Sequence, residues 1–363
     1  MAHRAITTEL VPISGLTTAH RAAWRGMRAE NPTLASPYFA LEFADLIADR
    51  RPDAQALVLT RKGRTVGFLP MQLSSLGVAR PLGGPLGDHH ALITEDDSLD
   101  LGAALQNSPV SVYCFHGALV SQPTFTDEAS QIEPSWTVDL SQGCDQWLEG
   151  RRLADAKAMR NIRARQRKLA ESGLEVTYRF DDRRPEALAA SFANKREQYR
   201  RTNAFDVFIA KWARDLINDL FEHQTPQLSG CLSTLEINGQ LAAAHFGMRS
   251  ESVLHYWFPV YWPEYSRFGP GLQLFIEMAR EMTTTGIDSI HLGPGDMDFK
   301  RKLANASFDI AGGRIERPSM AASLIAAGAS MDAFARKLPI GRVSHWPGKA
   351  LRRLDTLAAA YGI

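Results

Sequence analysis

The sequence predicts an α/β protein made of two similar units, each a mixed sheet flanked by helices, followed by a helical C-terminal tail. Each half runs through helices, a hairpin with glycine in its turn, further strand and a Gly/Pro loop. That is weak duplication at a period too long for a solenoid. At 363 residues the chain exceeds one ordinary domain and fits two of roughly 100–200 residues. A hydrophobic content of 45% with 22% charged residues is that of a globular chain able to bury a core.

In the first unit, taken as residues 1–140, a helix is expected over Leu16–Glu30, ended by the turn Asn31-Pro32-Thr33. Ser36-Pro37 reads as an N-cap with proline at the first helical position, leading a helix to about Arg50. Gln55–Thr60 and Arg64–Ser74 are strand-like around Lys62-Gly63, a hairpin signal. Gly77–Gly87 reads as loop, and Val110–Cys114 as strand.

Residues 141–173 are expected to form a basic linking segment, with one helix over Gln146–Ser172. Its Arg160, Arg163 and Arg167 recur at helix spacing and share a face. That face is either solvated or a wall for an anionic substrate.

The second unit, residues 174–315, opens with a strand at Leu174–Arg179 and helices at Pro185–Arg201 and Lys211–His223. Strands Leu228–Ile237 and Gln240–Arg249 flank Asn238-Gly239, a strong two-residue turn. The aromatic strand Leu254–Val260 then enters the loop Tyr265-Ser266-Arg267-Phe268-Gly269-Pro270-Gly271, which opens a helix over Leu272–Thr284. Strand Ile287–Leu292 runs into Gly293-Pro294-Gly295-Asp296 and the basic turn Phe299-Lys300-Arg301-Lys302-Leu303. A Gly-x-Gly loop feeding a helix leaves N–H groups unpaired at the positive end of the helix dipole, where a phosphate binds. Residues 316–363 complete the chain as the helical tail.

A formal net charge of +1 argues against a nucleic-acid binder, whose affinity rests on neutralising phosphates. Cys114, Cys144 and Cys231 are scattered and odd in number, which fits free thiols in a reducing compartment. No run approaches the ~20 apolar residues of a membrane span. The N-terminus lacks a signal-like apolar region, so a cytoplasmic location is expected. His89 and His90 invite a metal reading, but neighbours on a strand point to opposite faces and no third ligand has a recognisable spacing.

The runs Lys195–Tyr199, Asp206–Phe208, Ala243–Gly247, His255–Pro259 and Tyr265–Gly271, with Asp296 and Phe299–Leu303, stand in an order that resembles the CelD/BcsL-like branch of the GNAT acetyltransferases. The first half is similar more loosely, through Pro37–Phe43, Gly67–Met71 and Asp88-His89-His90. The resemblance implies tandem GNAT folds packed side by side, as in FemX-type transferases, with the donor site in the second copy. It implies acetyl-CoA or another acyl-CoA as co-substrate, no metal, and an acceptor from sugar or surface-polysaccharide biosynthesis. Contact with polysaccharide synthesis machinery follows from the same analogy. The pyrophosphate loop departs from the family pattern, since Ser266 stands at the Arg/Gln position and Arg267 falls one residue late. The donor site is expected from Phe258, Arg267, Phe268, Gly269, Gly271 and Leu272.

Acyl transfer to an amine needs positioning, proton removal and stabilisation of the oxyanion. His245, on the strand beside the gap, is either a base or a satisfied structural residue. Asp296 sits at the mouth of the last strand or caps its turn. Lys300 binds an acceptor anion, stabilises charge, or is merely solvated. Tyr256 and Tyr265 offer phenols to the departing thiolate or belong to the core. Asp88, His89, Arg160, Arg163 and Tyr256 are the candidates for the acceptor side. Two rival functions stand beside acyl-CoA transfer: an aminoacyl-tRNA-dependent transferase, and a silent GNAT pair that regulates a polysaccharide synthase.

Overall fold

A computed structural model describes residues 6–319. The chain divides into two compact units, and the division is not contiguous. Unit 1 holds the residues up to Leu34, then Leu41–Ile132 and the chain from Asp309 onward; unit 2 holds Ala35–Ala40 and Glu133–Phe308. The division therefore falls near residue 132 rather than 140, and the last strand returns to unit 1.

Unit 1 has the strand order β1-β2-β3-β4-β6-β13 with β5 beside β3. These are β1 (Thr7–Pro12), β2 (Ala54–Arg61), β3 (Arg64–Leu73), β4 (Val78–Pro81), β5 (Ile93–Thr94), β6 (Val112–Leu119) and β13 (Ala306–Glu316). Among the described strands of this unit only β4 and β6 pair in parallel. Lys62 and Gly63 both take positive φ, the geometry a tight β2–β3 hairpin requires. Helix α1 (Thr18–Glu30) is capped by the Thr17 side chain, which accepts from the His20 N–H. Ser36-Pro37 does not start a long helix. It leads a single 3-10 turn, Pro37–Phe39, and extended Ala40 separates that turn from α2 (Leu41–Ala48). The stretch read as loop contains β4, and α3 (Leu101–Gln106) and α4 (Pro123–Thr126) complete the unit. Leu57, Leu69, Met71, Tyr113 and Phe125 anchor its core.

Unit 2 has the order β7-β12-β11-β10-β9-β8. Its strands are β7 (Ala129–Asp139, within the unit from Glu133), β8 (Val176–Arg179), β9 (Ser229–Ile237), β10 (Gln240–Arg249), β11 (Val253–Tyr261) and β12 (Ser289–Pro294). Again one pair is parallel, β11 with β12. The single helix expected over Gln146–Ser172 is two helices, α5 (Cys144–Ala154) and α6 (Ala156–Ala170). Asp155 leaves helical geometry between them and caps α6 by accepting from the Ala158 N–H. Neither helix is a free linker, because Trp147, Met159, Ile162 and Leu169 enter the core with Phe275 and Met278. Those last two residues lie on α9 (Pro270–Thr284), the helix that follows β11. Helices α7 (Pro185–Thr202), α8 (Lys211–Glu222) and α10 (Asp298–Leu303) complete the unit. The helical tail expected from residue 316 lies, from residue 320 on, outside the described residues.

Candidate active site

Strands β11 and β12 pair only at Val253–Ser289, Leu254–Ile290 and His255–His291. Beyond His255, β11 runs on to Tyr261, and beyond His291, β12 runs on to Pro294. Their outer edges stay covered, β11 by β10 and β12 by β7. The inner edges therefore part and leave backbone groups facing a gap. Such groups need partners.

Trp262 N–H donates to Ala242 O at 3.0 Å, which turns the even residues of this stretch toward β10. By the alternation of an antiparallel ladder, Pro259 and Tyr261 face the opposite edge. Helix α7 supplies partners for both carbonyls. Lys195 Nζ donates to Pro259 O at 3.0 Å, and Asn194 Nδ2 to Tyr261 O at 3.3 Å.

At the end of β11 the 3-10 turn Pro263–Phe268 delivers the chain to Gly269, whose φ of 62° and ψ of 50° are left-handed. Pro270 then starts α9 at a position where a missing N–H does no harm. Gly269 N–H is taken by Ser266 O, and Leu272 N–H by Gly269 O. Among the described residues the N–H of Gly271 has no partner, so the anion position narrows to that group. Arg267 is exposed, with its guanidinium 4.6 Å from the centre of the Phe268 ring, and Phe268 is buried.

The basic side chain at this loop is Arg165, which the spacing argument passed over. A Cβ on Gly269 would stand 2.9 Å from Arg165 Cδ and 3.0 Å from Nη1. Arg160, Arg163 and Arg167 are exposed on α6. Arg163 lines a pocket of about 250 Å³ with Asp145, Glu149 and Arg280, where carboxylates already stand near it.

His245 is fully buried on β10. Its Nε2 accepts the Trp257 N–H at 3.2 Å, and its ring stacks on Tyr256 at 4.1 Å with 5° between planes. Burial, then His255 and Lys195, hold its pKa well below the ordinary value. Nδ1 has no partner among the described residues. An imidazole that is neutral, enclosed and already accepting through Nε2 has no lone pair to offer an amine. Its task is to satisfy a strand N–H, which removes the reading as a base.

Tyr256 is buried against Phe275 and His245, and burial drives its phenol pKa up. Tyr265 packs against the same core. Phe258 faces Phe192 and Phe208 rather than the loop. Lys300 is buried and donates to the Pro294 carbonyl at the end of β12. Asp296 is exposed and paired with Arg301, so it does not cap the turn through its own side chain. Asp88 and His89 belong to unit 1.

Lys195 was missed as a site residue. Burial alone draws its pKa down to about 8. A readable signal existed: Phe192, Lys195 and Tyr199 fall at i, i+3 and i+7, so the lysine continues an apolar stripe. At the parting point His255 is buried and His291 half-buried, and desolvation followed by His255 lowers His291 to about 3.

Residues 156–301 match the family model described as an acetyltransferase (GNAT) domain. A search of curated proteins finds no match. Among solved structures the chain is similar to FemX, with 12% identity, a TM-score of 0.53 and coverage of 84% of this chain and 96% of that one. It is also similar to the C-terminal DUF2156 domain of a protein assigned as a lysylphosphatidylglycerol synthetase from Agrobacterium fabrum. There the identity is 13%, the TM-score 0.50 and the coverage 87% and 95%. At such identities the likeness is one of fold. The chain thus shares its fold with FemX, and its residues 156–301 match an acetyltransferase (GNAT) domain.

Proposed function

We propose that unit 2 transfers an acyl group from coenzyme A, with acetyl-CoA as the preferred donor, to an amine or hydroxyl acceptor. One observation carries this: two parallel strands part after His255 and His291, and the first leads through the turn Pro263–Phe268 to left-handed Gly269 and the start of α9. The residues present fit such a donor. The parted edges suit an extended pantetheine arm, and the open Gly271 N–H with Arg165 beside Gly269 suits a pyrophosphate. A bound thioester supplies an acyl carbon activated for attack.

The chain's own residues then position and polarise. Lys300, tied to Pro294 at the mouth of β12, holds positive charge where an anionic acceptor approaches. Tyr256 and His245 form a closed floor that excludes water. Burial keeps His245 neutral and Tyr256 protonated, so neither takes the acceptor's proton, which leaves through water. On the resemblance to the CelD/BcsL-like branch, the acceptor is a small sugar or surface-polysaccharide precursor. The setting proposed is the cytoplasm, alongside polysaccharide synthesis machinery. Among the described residues no helix is long and apolar enough to cross a membrane.

Titration calorimetry of the whole chain with acetyl-CoA, CoA and longer acyl-CoAs tests the donor. Saturable heat with acetyl-CoA is expected. Heat from aminoacyl-tRNA and none from any coenzyme A species would transfer the donor role to the aminoacyl ester.

A further inference from the structure

Acyl transfer gathers negative charge on the carbonyl oxygen, and a hydrogen-bond donor must already face it. The inner edge of β11 is short of backbone donors. Pro259 has no N–H. The N–H of Trp257, two residues earlier, is bound by His245 Nε2. Two neighbouring odd positions therefore offer nothing to an oxyanion.

A side chain stands at the same place. Lys195 reaches from α7 to Pro259 O, which faces the edge that β12 has left. No carboxylate pairs with it among the described residues, and its other near neighbour is the Tyr199 ring, 5.3 Å from Nζ. An ammonium has three N–H groups and no acceptor. One is fixed by Pro259, and two remain for a ligand in the gap.

We propose that Lys195 is the oxyanion donor of this transferase, its ammonium bonding the carbonyl oxygen of the bound acyl donor in place of the N–H that Pro259 lacks. This rests on the coenzyme A reading above. The acceptor's nitrogen or oxygen bonds to the acyl carbon as the carbon–sulfur bond breaks. The sulfur keeps the electron pair, and the proton released by the acceptor passes through water to the thiolate. Lys195 keeps its own proton throughout. Burial helps, because a charge removed from water interacts more strongly with a developing oxyanion.

The test uses the whole chain and acetyl-CoA labelled with carbon-13 at its carbonyl, read by difference infrared spectroscopy. In the wild-type protein the carbonyl stretch should move to lower wavenumber than in free acetyl-CoA. Lys195→Met should abolish the shift, while calorimetric affinity changes by less than about tenfold. Lys195→Arg, which keeps a charged donor, should retain part of it. Release of CoA without acceptor should fall ~10²-fold or more in Lys195→Met. A shift that survives in Lys195→Met, or is absent from a wild-type protein that binds acetyl-CoA, overturns the assignment alone. Wild-type protein that binds no acetyl-CoA overturns the donor reading and this inference with it. If Lys195→Met fails to fold, Lys195→Gln removes the charge with a shorter polar side chain, and the same spectra decide.

Discussion

His245 Nε2 and the Trp257 N–H meet at 3.2 Å where the β10–β11 register slips between Phe246 and Met248. The slip makes a bulge, and a bulge leaves a backbone N–H outside the regular pairing. An imidazole from the neighbouring strand fills that vacancy, and it can do so only while uncharged. The same requirement extends to other buried histidines.

Stability should depend on these histidines as pH falls. Burial, followed by His116, lowers His90 to about 3; His291 is also held to about 3, and His245 lies well below 6.5. Unfolded histidine takes up a proton near pH 6.5 while the folded groups do not, so stability is complete above that value and lost below it. Three such groups give a slope approaching ~4 kcal/mol per pH unit. Melting temperature should drop steadily from pH 7 to pH 5, above the carboxylate range. A flat profile would show that these rings are charged or exposed.

Gly247→Ala should destabilise unit 2. Its Cβ would stand 2.2 Å from His255 O and 2.7 Å from the His245 ring, and neither the strand nor the stacked ring can yield easily. About 3 kcal/mol is expected, the upper end of overpacking. That corresponds to a melting temperature lower by roughly 6–12 °C.

Gly271→Asp should weaken acetyl-CoA binding at least tenfold, ~1.4 kcal/mol. Nothing lies within 4 Å of a Cβ there, and a carboxylate in the first turn of α9 favours the helix. The variant should melt no lower than wild type. Unchanged affinity in calorimetry would remove the anion position from this loop.

Arg165→Ala should weaken the same binding about tenfold at low salt and less at high salt. Arg160→Ala should change it by less than about twofold. Equal losses from both variants would mean that general basicity of α6, rather than contact at Gly269, supports the donor.

How far the sequence revealed this arrangement varies with the range of the forces involved. Asn238-Gly239, with φ of 50° and 72°, and helices α7 to α9 follow from local turn and periodicity signals. Strand β7 was unreadable because its first half is exposed and polar and contains Pro134, so only distant pairing makes it a strand. Strand β13 has Gly312-Gly313 in its interior and likewise depends on β6. The break at Asp155 was legible as a cap but lay inside a long charge pattern. Choosing among the arginines of α6 needed the fold. Arg165 is exposed, as Arg160, Arg163 and Arg167 are, and only its approach to Gly269 sets it apart. The loop at Gly269 was visible as a motif, yet the identity of its one open N–H depended on which carbonyls the chain itself had claimed.

Residues 35–40 belong to unit 2 although the chain on both sides of them belongs to unit 1. Within unit 2 the Tyr38 ring meets His255 edge-on at 4.8 Å and Trp257 at 6.0 Å, and Ser250 Oγ donates to Ala35 O at 2.6 Å. The wall beside the parting strands is thus threaded from a part of the polypeptide synthesised some 200 residues earlier. A fragment beginning at residue 133 would expose His255 and Trp257 to water, and the matched span 156–301 is shorter still. The transferase half is not a portable cassette. During synthesis, six residues near the N-terminus are made long before the strand they cover, so unit 2 as seen here needs chain from both ends of that interval.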